Sequence, residues 1–102
     1  MYTLVLVSCP DEETAVKIGR TAVENRLAAC ITVIPRVKSV YRWKGRIEEA
    51  DEVLLLIKTR GELFQRLEEA IVERHPYSVP EIISLKINQG HIPYLEWIKE
   101  ET

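Results

Sequence analysis

Cysteine, histidine, glycine and methionine are scarce in this sequence, and each scarcity excludes something. Its 102 residues hold two Cys, two His, four Gly and a single Met. Cys9 and Cys30 lie far apart, in neither a C-x-x-C nor a zinc-knuckle spacing, which argues against a disulfide framework or a closed structural zinc site. No Gly-rich phosphate loop, G-x-S-x-G, H-E-x-x-H or Walker pattern occurs. A formal charge of -2, from 14 Lys+Arg against 16 Asp+Glu, leaves no net basic field for nucleic acid or an anionic membrane. No apolar run reaches membrane-spanning length. Tyr2 to Val7 show neither a basic leader nor a small-residue cleavage site, so the expected location is the cytoplasm.

What is present is one domain, residues 1–102, organised around a long hairpin. Two extended runs, Ile31 to Trp43 and Ile47 to Thr59, face each other across Lys44-Gly45-Arg46, where Gly tolerates a tight reversal. In the first arm Ile31, Val33, Val37, Tyr41 and Trp43 share one parity, the period of a half-buried strand, while Ile34 and Val40 break it. The second arm begins acidic and becomes the apolar run Val53 to Ile57, which suits a central strand covered on both faces. A three-residue loop, pairing Trp43 with Ile47, Val37 with Val53 and Val33 with Ile57, is the preferred register. Pro35 places its arm at a sheet edge or in a bulge. Thirteen residues make an arm of about 43 Å, whereas a covering helix of about 15 residues spans about 22 Å, so the hairpin must overhang. The overhanging Tyr41, Trp43 and Ile47 would then need cover from another subunit.

The rest of the chain reads βαβ, βαβ and a short helix. Residues 2 to 9 form a buried strand; Asp11 caps a helix with the stripe Ala15, Ile18, Ala22 and Val23, ending near Arg26. Thr59-Arg60-Gly61-Glu62 matches a capping box for a second helix, with Leu63, Phe64, Leu67, Ala70 and Ile71 buried, which His75-Pro76 terminates. Ile82 to Ile87 is a strand, and Pro93 opens a last helix in which Tyr94, Leu95, Trp97 and Ile98 pack one face. The order is that of an α+β, ferredoxin-like split βαβ fold, with right-handed crossovers placing the first and third strands centrally.

Few residues offer chemistry. Cys9 sits where a strand meets a helix N-terminus, a place that can lower a thiol pKa, against the reading of a small apolar strand-end residue. Cys30 follows two Ala and reads as a packed core thiol, with metal ligation as the alternative, so that Cys9 should react faster than Cys30. His75, beside Pro76 and Tyr77, is either a metal ligand or a hydrogen-bonded interface histidine. Glu48, Glu49, Asp51 and Glu52 could attract divalent cations, or pair with Arg36, Lys38, Arg42 and Lys44 across the hairpin. Lys58 ends an apolar strand either snorkelling or lining a cleft. Enzymatic use of Cys9, His75 or Lys58 would require these groups to converge.

Several blocks in series, Cys9-Pro10-Asp11-Glu12, Arg26-Leu27-Ala28-Ala29-Cys30, Tyr41-Arg42-Trp43-Lys44-Gly45-Arg46-Ile47-Glu48, His75-Pro76-Tyr77-Ser78-Val79-Pro80-Glu81 and Tyr94-Leu95-Glu96-Trp97, resemble the CutA family, the divalent-cation tolerance proteins. The resemblance implies a ferredoxin-like homotrimer similar to the PII signalling proteins, without catalytic activity, and associated with tolerance of copper and other divalent metals. By motif it carries metal-related roles to Cys30 and His75, an intersubunit cleft to Trp43, Lys58, Tyr77 and Glu81, and trimer contacts to Tyr41, Trp43 and Ile47. It also implies an alternative, a PII-like protein binding a small anionic effector near Lys58. Some bacterial members have Cys where this chain has Val7, so no ligand role passes to Cys9.

Overall fold

A computed structural model describes residues 1–102. The first strand, β1 (Tyr2–Cys9), leads through helix α1 (Glu12–Glu24) into the hairpin strands β2 (Cys30–Trp43) and β3 (Arg46–Arg60). A 3-10 turn (Gly61–Leu63) precedes helix α2 (Phe64–Arg74), strand β4 (Ile82–Lys86) and helix α3 (Ile92–Glu100). The sheet order is β2-β3-β1-β4 with every neighbour antiparallel, the split βαβ topology, and β1 and β3 are central as their apolar runs require.

The core lies between one sheet face and α1 with α2. From β1 it takes Val5, Val7 and Cys9, from β3 Val53, Leu55 and Ile57, and from the helices Ala15, Ile18, Ala22, Leu67 and Ile71. Asp11 caps α1 as its sequence predicts, Oδ1 accepting from the Thr14 N–H at 2.7 Å. The stripe differs by one residue: Val23 is exposed, and the buried position is Gly19, where a Cβ would lie 2.8 Å from Ile31 Cγ1. Helix α1 ends near Arg26 as expected, its last residue being Glu24; Asn25 caps it and Arg26 turns left-handed at φ 56°. Thr59 is no helix cap. It lies within β3, fully buried, and its hydroxyl donates to the Leu27 carbonyl at 2.7 Å, tying the α1–β2 connection to the sheet. Helix α2 ends as expected, His75 taking an extended ψ of 135° before Pro76.

The hairpin turn corrects the loop reading. Trp43 pairs with Arg46 and Arg42 with Ile47, so the turn is Lys44-Gly45, with φ 50° and 79°, the left-handed pair of a type I′ turn whose twist matches the strands. The extra residue sits instead at the other end: Ile34 pairs with Leu54 and Val37 with Glu52, leaving Pro35 and Arg36 opposite Val53 alone, with Arg36 at φ 60°. Val33 therefore faces Leu55, not Ile57, and Val37 faces Glu52, not Val53. The bulge also splits the apparent stripe. Ile31 and Val33 face the helices, whereas Val37, Tyr41 and Trp43 continue the row of Leu54 and Glu52 on the other side. Ile34, which broke the alternation, belongs to that same outward row.

That second sheet face is largely uncovered. Leu4, Leu6, Leu54 and Leu56 are half-buried on it, and Ile34, Ile83 and Leu85 are 39%, 50% and 48% exposed. Helix α3 covers only one end of it: Arg60 Nε donates to Thr102 Oγ1 at 2.8 Å, while Tyr94 and Trp97 stay 41% and 38% exposed and Ile98 alone is buried. The overhang exists as length predicted. Strand β3 pairs with β1 only as far as Val53↔Cys9, so the segments Val37–Trp43 and Arg46–Glu52, seven residues each and about 23 Å long, pair with each other alone. No helix of the chain is long and apolar enough to cross a membrane.

Candidate functional site

Where β1 stops and the hairpin continues, the loop after α2 folds back over the sheet end. Pro76 forces the extended backbone at His75 that turns its ring towards β1. His75 Nε2 lies 2.7 Å from the Ser8 carbonyl, which can only accept, so Nε2 carries the proton and Nδ1 accepts from the Tyr77 N–H at 3.1 Å. The His75 and Tyr77 rings pack at 4.8 Å between centroids. Tyr77 in turn donates its hydroxyl to Glu52 Oε2 at 2.5 Å, and Ser8 Oγ donates to Glu81 Oε1 at 3.0 Å. Burial, and then the Glu52 carboxylate, push the Tyr77 phenol well above its ordinary value, so it remains a donor.

Between this network and the hairpin lies a cavity of about 620 Å³. One wall is Ser8, Glu52, Tyr77 and Glu81; the other is Lys38, Val40, Tyr41 and Trp43 from β2. Three of the four residues assigned to the cleft, Trp43, Tyr77 and Glu81, are thus together, with Tyr41. Lys58 is not. It stands four strand rows away, about 13 Å along β1, where Leu4 pairs with Lys58 and Lys58 with Cys30. There Lys58 Nζ donates to Thr32 Oγ1 at 2.5 Å and approaches Cys30 Sγ at 3.6 Å. Ile47 is 60% exposed and pairs with Arg42, on the opposite side of the hairpin from Tyr41 and Trp43.

Cys30 and His75 are likewise apart, at the two ends of the sheet, and no three His, Cys, Asp or Glu side chains converge within the chain. Cys9, His75 and Lys58 do not converge either. The two thiols reverse the order expected of them. Cys9 is fully buried, and desolvation, helped by Asp11 and Glu52, raises it to about 11, while Cys30 is only half-buried. A core position at the strand end outweighs the helix N-terminus. The acidic cluster is mostly unpaired: Lys38–Asp51 at 2.8 Å is its one ion pair, because the two-residue turn sets Glu48 opposite Tyr41 and Glu49 opposite Val40. Ser8 is the site residue that sequence reasoning missed, and Glu52 was named there only as one of four members of the acidic cluster. The available signal was position: Glu52 directly precedes the apolar run of a central strand, where a carboxylate needs a specific donor.

A family model described as "CutA1 divalent ion tolerance protein" matches residues 3–101. The chain is 50% identical over 99 residues to "Protein CutA homolog" of Danio rerio, covering 97% of this chain and 66% of that protein. It is 48% identical over 96 residues to "Protein CutA" of Homo sapiens, covering 94% of this chain and 54% of that one, and so spans about half to two thirds of these relatives. Among solved structures, the divalent cation tolerance protein (Cut A1) of Thermus thermophilus superimposes with a TM-score of 0.98 at 45% identity, over 100% of this chain and 99% of that one.

Proposed function

This chain belongs to the CutA1 divalent ion tolerance family, and from that premise we propose that it is a homotrimeric, non-catalytic cytoplasmic protein that contributes to tolerance of divalent cations, copper among them. The near coincidence of its backbone, end to end, with the Thermus thermophilus protein of that name carries the reading. Assembly has its own support in the uncovered row of Leu4, Leu6, Ile34, Leu54, Leu56, Ile83 and Leu85, and in a hairpin that projects beyond its own core. Sedimentation should give a trimer for the wild type and smaller species for Ile83→Glu/Leu85→Glu; a wild-type monomer would reject the assembly.

One chain brings no three His, Cys, Asp or Glu side chains together, which favours a divalent ion shared between copies. Cys30 offers a soft sulfur suited to copper, and His75 an imidazole that must first release the Tyr77 N–H. Calorimetric titration of copper into wild type, Cys30→Ser and His75→Ala tests this ligand set, at pH values either side of about 6.5, since imidazole must be neutral to ligate. Both variants should bind more weakly than wild type; equal binding by all three would remove the assignment. A second reading, a PII-like site for a small anionic effector, is favoured by Lys58, whose ammonium has no carboxylate partner in the chain. Binding of inorganic phosphate that is lost in Lys58→Gln would support it.

A further inference from the structure

The cavity at the hairpin junction has a charge that nothing in the protein answers. Glu52 is only 8% exposed, yet no Lys, Arg or His pairs with it. Tyr77 occupies Oε2 alone. Oε1 has no hydrogen-bond donor in the protein and is not sealed off, since no fully buried side-chain oxygen of the chain lacks a partner. It therefore opens to the cavity that Glu52 lines. Glu81 adds a second carboxylate, held by a neutral hydroxyl from Ser8. The one basic lining residue, Lys38, is engaged by Asp51 at 2.8 Å. The rest of the lining is Tyr41, Trp43 and Tyr77, with Val40, Val79 and two serines between them. Two carboxylates without an ion-pair partner and three electron-rich rings, of which Trp43 already meets Lys44 Nζ at 5.9 Å from its centroid, make a site of negative potential.

A cation is called for, and the lining decides which kind. A hard dication takes six or more oxygen ligands, and here it would find two carboxylates and no third acidic, His or Cys ligand converging. A diffuse organic cation needs one counter-charge and aromatic rings to lie against, and this lining supplies carboxylates and three aromatic side chains. The volume, about 620 Å³, is that of a small-molecule site. We propose that this junction cavity binds a small organic ammonium ion, with Glu52 Oε1 as its counter-charge and Trp43, Tyr41 and Tyr77 as its aromatic cage. The site goes beyond the metal reading: it uses neither Cys30 nor His75 as a ligand, so copper titration and ammonium titration can succeed or fail separately.

Three probes of similar globular shape separate charge from bulk: tetramethylammonium, tert-butanol and pivalate. Trp43 reports, by its fluorescence and indole N–H resonance in an otherwise intact Trp97→Phe chain. Tetramethylammonium should give a saturable change, and the neutral and anionic probes should bind at least about tenfold more weakly, the scale of a desolvated cation–π and carboxylate contact. Glu52→Gln, which keeps an acceptor for Tyr77, should weaken tetramethylammonium by about tenfold, while Lys38→Gln, which removes the one lining cation, should tighten it. Should Glu52→Gln not fold, Trp43→Leu must show the same loss, read by the Tyr77 ring resonances. Tetramethylammonium binding no better than tert-butanol, affinity retained in Glu52→Gln or Trp43→Leu, or no saturable change because a neighbouring subunit fills the cavity would each overturn the proposal.

Discussion

Cys9 and Cys30 show how a single position in the sheet decides the chemistry of a side chain. The Cys9 thiol, carried from the ordinary 9.0 to about 11 by burial, stays protonated in the folded chain where the unfolded chain has already ionised. Its contribution is whole below pH about 9 and is lost as pH rises towards about 11, a loss of about 3 kcal/mol for a shift of this size. Alkaline denaturation of the wild type should show this fall in stability, and Cys9→Ala should lack it. In neutral native protein a thiol reagent should modify Cys30 first and Cys9 only after unfolding. Cys9 labelling at a rate comparable to Cys30 would contradict its burial. Asp11 works with the opposite sign: its carboxyl is held low by the Thr14 amide, so the cap's contribution is present above the ordinary Asp range and disappears in acid. Of these residues the sequence reveals Asp11 outright, because capping is local. It misleads on Cys9, whose environment is assembled by Val53 across the ladder and by the helices above.

At the level of elements, α1 meets β2 through Gly19 and Ile31, and a methyl group there has no room. Alanine would raise helix propensity by about 1 kcal/mol, but overpacking against Ile31 costs about 1–3 kcal/mol, so Gly19→Ala should be destabilising on balance. Thermal unfolding should register the loss, and Gly19→Ala/Ile31→Val should recover part of it; a stabilised Gly19→Ala would mean that the helix can lift from the sheet. Gly45, in contrast, has open space around it and only its φ of 79° to defend, so Gly45→Ala should cost about 1 kcal/mol through backbone strain alone. Hydrogen exchange should place that loss in the outer hairpin, not in β1. Strand and helix order, the central pair and the overhang were all legible, since each rests on apolar runs, capping residues and length. Register was not. Parity along Ile31 to Trp43 assumes an unbroken ladder, and Arg36 gives no local sign that it turns left-handed after Pro35. The cavity was half legible: its aromatic wall and Glu81 fell in the recognised blocks, but Glu52 was hidden in an acidic cluster whose other members face water.

For the whole molecule, one sheet face is packed and the other is waiting. A chain with about half of its sheet surface uncovered should be stabilised by self-association, so the proposed trimer implies a thermal midpoint that rises with protein concentration. Scanning calorimetry over a dilution series checks this. A midpoint independent of concentration, in a protein that sediments as a trimer throughout, would place unfolding before dissociation and remove the link between them.

The bulge at Pro35 and Arg36 sets the phase of everything beyond it. Were the ladder to run one residue opposite one with Arg36 kept in line, Arg36 would face Glu52, and the seven outer residues of β2 would come into step with Ile31 and Val33. Tyr41 and Trp43 would then leave the row they share with Glu52 and emerge on the reverse of the hairpin, with Lys38, Val40 and Arg42 in their place. The chain would keep its core, its helices, its strand order and its uncovered apolar row, and lose the aromatic part of one cavity wall in a single step. A frame of side chains is carried in this protein by one supernumerary residue, much as a reading frame is carried by one base.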